Sequence, residues 1–460
     1  MPSLPVAVVG AGPVGLAAAA HLIGRGLPVR VYEAGATVAA SVLDWSHVRI
    51  FTPWKYNVDT AALAILARQG WVMPPEEDLP TGGELYDRYM RPLARTPELA
   101  QAIETGARVM AISRRGTDKV SSKDRGSKPF RLRISLADGG IRHDTAQAVI
   151  DASGTWNHPN PIGGDGLVAV GELEHAGRIA YGMPDVLGCC RAAYTGRHTV
   201  VVGAGYSAAN VLLDLVRLAE DAPQTAITWV VRGTSLARVY GGGTADQLPA
   251  RGALGWRLKE LVDTGRIELV KGFSVTAVES VGGRLGLVAD GAAGPRRVGP
   301  ADRIVVATGQ RPDLAMTREL RLELDPWLES VKALGPLIDP NLHSCGSVAP
   351  HGYRELAHPE PGFYTIGVKS YGRAPTFLLL TGYEQARSVA AAVAGDLAAA
   401  ESVHLVLPET GICETGIIEV GGATNVCCGG PAPAETTACC LADAVAREAG
   451  KAGCGCGSAA

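Results

Sequence analysis

Positive charge is not in excess in this chain: 43 Lys and Arg stand against 46 Asp and Glu, for a formal net charge of −3. With no basic stripe to neutralise phosphates, neither nucleic acid nor an anionic membrane surface is an expected partner. No uninterrupted apolar run reaches the ~18 residues of a membrane span, and no cysteine stands fourth from the end for prenylation. The apolar start, MPSLPVAVVGAGPVGLAAAAHLIGRG, lacks the basic flank of a signal peptide and carries a glycine pattern of its own. The expected location is therefore cytoplasmic, where cysteines point to metal or redox chemistry rather than to a disulfide framework.

A redox dithiol is missing too. Neither CxxC nor CxxxxC occurs, and the one cysteine pair before the tail, Cys189 and Cys190, is adjacent in sequence. Neighbouring cysteines close only a strained ring, so packing is the expected role of that pair. Aromatic residues make up only 5% of the chain, which makes the cluster DWSHVRIFTPWKYN (44–57) stand out. At 460 residues the chain exceeds one hydrophobic core, so two or more domains are expected.

Two glycine patterns then organise what is present. VAVVGAGPVGLAAAAHLIGRGLPVRVYEAG predicts a strand, a tight turn, a helix and a second strand ending in an acid. Gly10 permits the turn, Gly12 lets backbone approach a pyrophosphate ahead of Pro13, and Gly15 lets helix pack on strand. Glu33 follows at the distance where an acid accepts hydrogen bonds from ribose hydroxyls, while the helix N-terminus takes the phosphates. HTVVVGAGYSAANVLLDLVRLAE repeats the pattern with Gly203, Gly205, Ser207 and Ala208. Its next strand ends at Arg232 rather than an acid, which suits a 2′-phosphate and argues for NADPH over NADH. The bland reading of Arg232 is a solvated arginine after a strand.

Two such units resemble the flavoproteins with two dinucleotide-binding domains, a group that includes class B flavin monooxygenases and pyridine nucleotide-disulfide reductases. AVIDASGTWNHPNPIG, with Gly154, is similar to the segment by which those proteins leave the FAD domain; DRIVVATGQRPD, with Thr308 and Gly309, is similar to the return crossing. The resemblance implies an α/β fold of two Rossmann-like domains. The FAD domain would comprise 1–160 and 306–400, with an NADPH domain over 161–305 and a Cys-rich tail over 401–460. It also implies FAD and NADPH as cofactors. In GFYTIGVKSYGRAPTFLLLTGYEQARSVAAAVAGD, Gly367 would lie beside the isoalloxazine, but Val368 stands where the family's acid would follow. Trp45 resembles the tryptophan that class B monooxygenases place after the ribose-binding acid, and FTPWKYN lies where they approach the flavin. Thr52 and Asn57 are thus the candidate catalytic residues, and Trp54 is expected in the core. His175 in VGELEHAGRIAY partly matches the monooxygenase signature, with Ala169 in place of its phenylalanine.

More specifically, WSHVRIFTPWKYNVD, LPTGGELYDRYMRPLA and KSYGRAPTFLLLTGYEQARSVAA, together with the cysteine tail, resemble flavoproteins encoded in bacterial arsenic-resistance operons, described as flavin monooxygenases. The tail holds Cys427, Cys428, Cys439, Cys440, Cys454 and Cys456 among glycines. Thiolates select soft ions, so these six form a candidate metalloid-binding set, with Cys439 and Cys440 in the first turn of an expected helix. Three roles stay open: capturing a thiophilic metalloid for the flavin, serving as a redox arm that takes electrons from it, or sequestering metal without touching catalysis. The expected partners are arsenite or an organoarsenical and dioxygen. A homodimer is compatible with all three.

Overall fold

The computed structural model describes residues 4–243, 246–342, 348, 350–375, 377–403, 405, 407 and 408. All six candidate metal-binding cysteines lie outside the described residues.

β1 (Val6–Val9) is apolar and buried throughout, as suits a parallel strand covered on both faces. It turns through Gly10–Gly12 into α1 (Pro13–Gly24), where Pro13 occupies the first turn with its φ already set. Every residue of α1 from Val14 to Leu22 is buried. The small side chains of Ala17–Ala20 let other helices approach from more than one side. β2 (Val29–Tyr32) follows. α2 (Thr60–Ala67) begins at Asp59, whose carboxylate accepts from the Ala62 N–H. β3 (Ile103–Glu104) precedes an antiparallel meander of β4 (Ala107–Arg114), β5 (Phe130–Leu136) and β6 (Ile141–Ala146), and β7 (Ala148–Asp151) returns to the first sheet.

The chain then builds a second parallel sheet from β8 (Ile179–Tyr181), β9 (His198–Val202), α3 (Tyr206–Asp221), β10 (Ala226–Val230), α4 (Pro249–Asp263) and β11 (Glu268–Val270). A second meander, β12 (Val275–Val281), β13 (Arg284–Ala289) and β14 (Arg296–Ala301), leads to β15 (Arg303–Val306). The last elements that matter here are β16 (Phe363–Thr365) and α5 (Leu379–Val393).

The two five-stranded sheets have matching plans. The first runs β16-β7-β1-β2-β3 and the second β11-β10-β9-β15-β8, with every pairing parallel. In both, the strand feeding the glycine turn is central, which is the switch-point position for a dinucleotide in a doubly wound fold. The chain leaves the first sheet after β7 and re-enters it at β16, where Thr365 lies beside Asp151. α5 packs along α1, so residues from the two ends of the described chain build one layer. The buried carboxylate of Glu360 fixes the return: it takes Arg114 Nε and Arg125 Nη2, each at 2.7 Å, and clamps the first meander to the strand entering β16.

Candidate functional site

Gly10 has φ +96°, and a Cβ there would lie 2.7 Å from the Ala152 carbonyl oxygen. Gly15 packs so tightly that a Cβ would meet the Gly10 carbonyl oxygen at 2.0 Å. Gly12 differs: its φ of −74° suits any residue, and a Cβ would meet nothing within 4 Å. The turn is therefore closed on the protein side and open where a pyrophosphate would approach. No side chain caps α1, which leaves its first N–H groups facing that opening. Glu33 closes the arrangement from β2, accepting the Ala11 N–H at 2.9 Å on one oxygen and the Gly35 N–H at 2.8 Å on the other. Each oxygen retains a lone pair for a ribose hydroxyl.

The second turn repeats this geometry. Gly203, at φ +134°, would put a Cβ 2.2 Å from the Ala307 carbonyl oxygen, whereas Gly205 faces open space and α3 starts without a side-chain cap. Ala208 is fully buried beneath Ser207, in the place of the third glycine. Arg232 is exposed and donates to the Gly164 carbonyl at 2.6 Å, which aims the guanidinium across the lip of the second sheet. On the evidence of these closed and open glycines, each turn fits a dinucleotide.

The two crossings are laced together. Asn160 donates to the Thr308 carbonyl at 3.0 Å and its N–H to the Gly309 carbonyl at 2.9 Å, while Arg311 holds the Asn160 amide oxygen at 2.9 Å. Thr155 donates to Gln310 at 3.2 Å beside Gly154, which sits at φ +71°. The chain thus leaves and re-enters at a single hinge.

The aromatic segment has one face in the core and another toward the second sheet. Trp54 is buried, as expected. Trp45 packs on the start of the next short helix, where a Cβ on Gly82 would lie 2.6 Å from its ring. Thr52 donates to the Asn57 amide oxygen at 3.1 Å, and the Asn57 amide spends its donors on the Thr52 and Pro53 carbonyls at 2.7 and 2.8 Å. Their visible work is to hold the turn after Phe51. The Phe51 ring lies 5.2 Å from that of Tyr206, the first residue of α3, so the segment reaches the helix that follows the second glycine turn.

Sequence reasoning missed two groups. Lys369, two residues after Gly367, is buried and pairs with Asp151 at 2.7 Å while donating to Ser153 at 3.0 Å. Two residues after the glycine, a cation therefore points inward to the end of β7. Gln385 on α5 accepts the Gly367 N–H at 2.7 Å and locks that loop to the helix. The second missed group is Arg251 on α4, held by Asp246 through Nε and Nη2, each at 2.8 Å, and standing 5.9 Å from the Phe51 ring. Neither carried a motif; each is visible only once distant segments meet. Near the same end of the first sheet, burial pushes the His358 imidazole down to about 4. Nδ1 of that neutral ring accepts the Glu323 N–H, and Nε2 donates to Thr365 at 3.2 Å.

The described thiols are Cys189 and Cys190, on a loop before β9, with sulfurs 3.7 Å apart. Cys190 packs on the core of the second sheet as expected, but Cys189 is exposed, and its thiol is pushed up by the hydrogen bond to Cys190. A raised pKa makes it a poor thiolate nucleophile. His175 is half-buried, its N–H bonded to the Gly171 carbonyl. No group of three or more His, Cys, Asp or Glu suited to a metal ion occurs among the described residues, and no helix among them is long and apolar enough to cross a membrane.

Paired parallel sheets, each with a central glycine turn, define an oxidoreductase of the two-dinucleotide class. The chain belongs to the pyridine nucleotide-disulphide oxidoreductase family, whose sequence profile matches residues 4–360. It is thus an FAD-dependent oxidoreductase of a family that works with pyridine nucleotides. No curated protein sequence matches it. Among solved structures it is similar to a bacillithiol disulfide reductase from Bacillus cereus, at TM-score 0.63 and 17% identity, covering 85% of this chain and 99% of that one. It is also similar to the FAD-bound cadaverine monooxygenase of desferrioxamine biosynthesis from Erwinia amylovora, at TM-score 0.59 and 12% identity, covering 92% and 99%. A flavin-containing monooxygenase from Stenotrophomonas maltophilia matches at TM-score 0.51 and 19% identity, covering 86% and 99%. At these identities the likeness is one of fold.

Proposed function

We propose that this chain is an NADPH-dependent flavin monooxygenase that oxygenates a trivalent arsenic compound in the cytoplasm, with the C-terminal cysteines collecting the metalloid. The observation that carries the reading is the missing dithiol. The sequence contains no CxxC or CxxxxC; of the described thiols, Cys190 packs on the second sheet's core, and Cys189 is exposed with its pKa pushed up by the hydrogen bond to Cys190. A disulfide reductase needs a low-pKa thiol beside its flavin.

Residues 1–160 and 306–400 would hold FAD, through the Gly10–Gly12–Pro13–Gly15 turn and Glu33, with Gly154, Thr308, Gly309 and Gly367 bordering it. Residues 161–305 would hold NADPH through Gly203, Gly205, Ser207, Ala208 and Arg232. When bound, FAD supplies the transfer of an electron pair from the nicotinamide to dioxygen. The chain would orient the two dinucleotides on either side of the Phe51–Tyr206 contact, whose ring centroids lie 5.2 Å apart. Thr52 and Asn57 set the position of Phe51. The reaction balances as NADPH, a proton, dioxygen and a trivalent arsenical giving NADP⁺, water and the pentavalent arsenical: one oxygen atom goes to the arsenic lone pair and the other leaves as water.

The last described residues support a link between tail and site. Leu407 and Pro408, the last described residues, lie with Phe377 and Thr381 near the start of α5, next to Arg251, so the described chain ends at the contact between α4 and α5. The family's disulphide chemistry and the bacillithiol reductase likeness favour a second reading, in which tail thiols take electrons from the flavin. Measuring NADPH and oxygen consumption with and without arsenite or an organoarsenical, with the arsenic product identified, decides between them. Stoichiometric oxygen uptake with a pentavalent product supports the monooxygenase; turnover of a disulfide under anaerobic conditions contradicts it.

A further inference from the structure

Between β8 and β9 the chain makes a loop that takes no part in either glycine turn. Asp185 organises it: its carboxylate accepts the Gly188 N–H at 2.8 Å and the Cys189 N–H at 3.1 Å, and its backbone carbonyl accepts the Cys190 N–H at 2.9 Å. A Cβ on Gly188 would lie 2.1 Å from that carboxylate, so the glycine is what admits it. Val186 is buried in the core of the second sheet and anchors the loop there. A short helical turn, Arg191–Tyr194, takes over from Cys190, which sits at φ −95° and ψ 1°. Two adjacent side chains are thereby held together, Cys189 exposed and Cys190 half-buried, with their sulfurs 3.7 Å apart.

That separation selects among the things two thiols can do. A disulfide needs its sulfurs at about 2.05 Å, which adjacent cysteines reach only through a strained ring. A single atom bridging two sulfurs, each at a thiolate–metal distance of about 2.3 Å, sets them about 3.3–3.8 Å apart for bond angles of about 90–110°. The spacing present is of that kind. The bridging atom must be soft and must be satisfied by two protein ligands, because no group of three or more His, Cys, Asp or Glu suited to a metal ion occurs among the described residues. Zinc, which takes four ligands in a closed site, does not fit. Inorganic arsenite would keep a hydroxyl, whereas a trivalent arsenical with one organic substituent has two exchangeable positions for the two sulfurs. The raised pKa of Cys189, a handicap for redox chemistry, is none here. Each thiol proton leaves with an arsenic-bound hydroxyl as water: two As–S bonds form, two As–O bonds break, and arsenic stays trivalent. We infer that Cys189 and Cys190 form a binding site, outside both glycine turns and apart in sequence from the tail, that chelates a trivalent arsenical carrying one organic substituent. The inference does not rest on the oxygenation reading above.

The chain has 10 cysteines, so replacing the eight that lie beyond this pair by serine leaves the full-length, FAD-loaded protein with these two thiols alone. Phenylarsine oxide in its hydrated form is the probe, with inorganic arsenite beside it. The expected result is one phenylarsenic adduct per chain by intact mass, a thiol titration that falls from two to none, and a raised melting temperature, since the ligand favours the folded loop. Cys189→Ser, at an exposed position with little risk to the fold, and Cys190→Ser should each cost about a hundredfold or more in affinity, because two-point attachment becomes single attachment. Arsenite should bind more weakly than the phenyl compound. Absence of an adduct, unchanged affinity in either serine variant, or arsenite bound as tightly overturns the inference. So does an adduct that leaves the melting temperature unchanged, because adjacency in the sequence and not the folded loop would then account for binding. Chelation by a native chain that turns over no arsenical would keep this site and overturn the proposed function instead.

Discussion

The two glycine turns share a backbone plan and differ in what surrounds them. α1 is buried from Val14 through Leu22, between α2 and α5, and its partner acid Glu33 is tied by two backbone N–H groups. α3 is amphipathic, burying Leu212, Leu215 and Val216 while exposing Arg217, Glu220 and Asp221, and its partner Arg232 lies on the exposed rim. A turn set deep in a helical layer suits a dinucleotide that stays; a turn on the rim suits one that exchanges every cycle. On the proposed assignment, the same sequence pattern would serve a resident cofactor in one sheet and a substrate-like coenzyme in the other.

The sharpest way to break that comparison is to fill both open positions. Gly12→Val and Gly205→Val each place a side chain where nothing lies within 4 Å, at φ values of −74° and −106° that any residue adopts. Both proteins should fold with unchanged melting temperature. Gly12→Val should purify colourless with activity lost by more than about a hundredfold, whereas Gly205→Val should stay yellow and fail only in reduction by NADPH. A yellow Gly12 variant would remove the assignment of FAD to the first turn.

Lys369→Met comes next, since it leaves Asp151 buried without its cation. The expected cost is about 3–5 kcal/mol of stability, read from denaturant unfolding. A change below about 1 kcal/mol would mean that water reaches the pair. The double variant Lys369→Met/Asp151→Asn should recover much of the loss.

His358 gives a smaller, pH-dependent effect. Its pKa is lowered to about 4 in the fold, so the folded chain prefers the neutral ring. This stability is fully present above the unfolded value near 6.5 and is lost as pH falls through the window from about 6.5 to 4, by up to about 3 kcal/mol. Unfolding free energies of the wild type and His358→Gln should converge across that window. Parallel curves would contradict the burial argument.

Arg232→Ala should have the smallest effect, and the most selective. The Michaelis constant for NADPH should rise about tenfold with the NADH value nearly unchanged, the pattern of one lost charge-assisted contact. Equal changes for both coenzymes would return Arg232 to a solvated rim residue.

Local constraint decided how much of this was legible in the sequence. Gly15 is forced by Gly10 within one strand–turn–helix unit, whereas Gly10 and Gly203 are closed by Ala152 and Ala307 from distant segments, but the repeated glycine spacing made both turns legible in the sequence. Lys369 meets Asp151 only because β16 returns beside β7, and Arg251 matters only because α4 is brought against Phe51 and Pro408. Such meetings leave no periodicity to read. Thr52 and Asn57 show the opposite case: residue type and position suggested a reacting group, and the geometry shows an amide whose donors hold its own turn.

Anaerobic titration of the FAD-loaded protein with NADPH tests the central claim most directly. The account predicts that a single equivalent per flavin bleaches the yellow colour completely, with no long-wavelength thiolate charge-transfer band, and that oxygen then restores it. Uptake of a second equivalent together with that band would show a dithiol in line with the flavin and contradict the account.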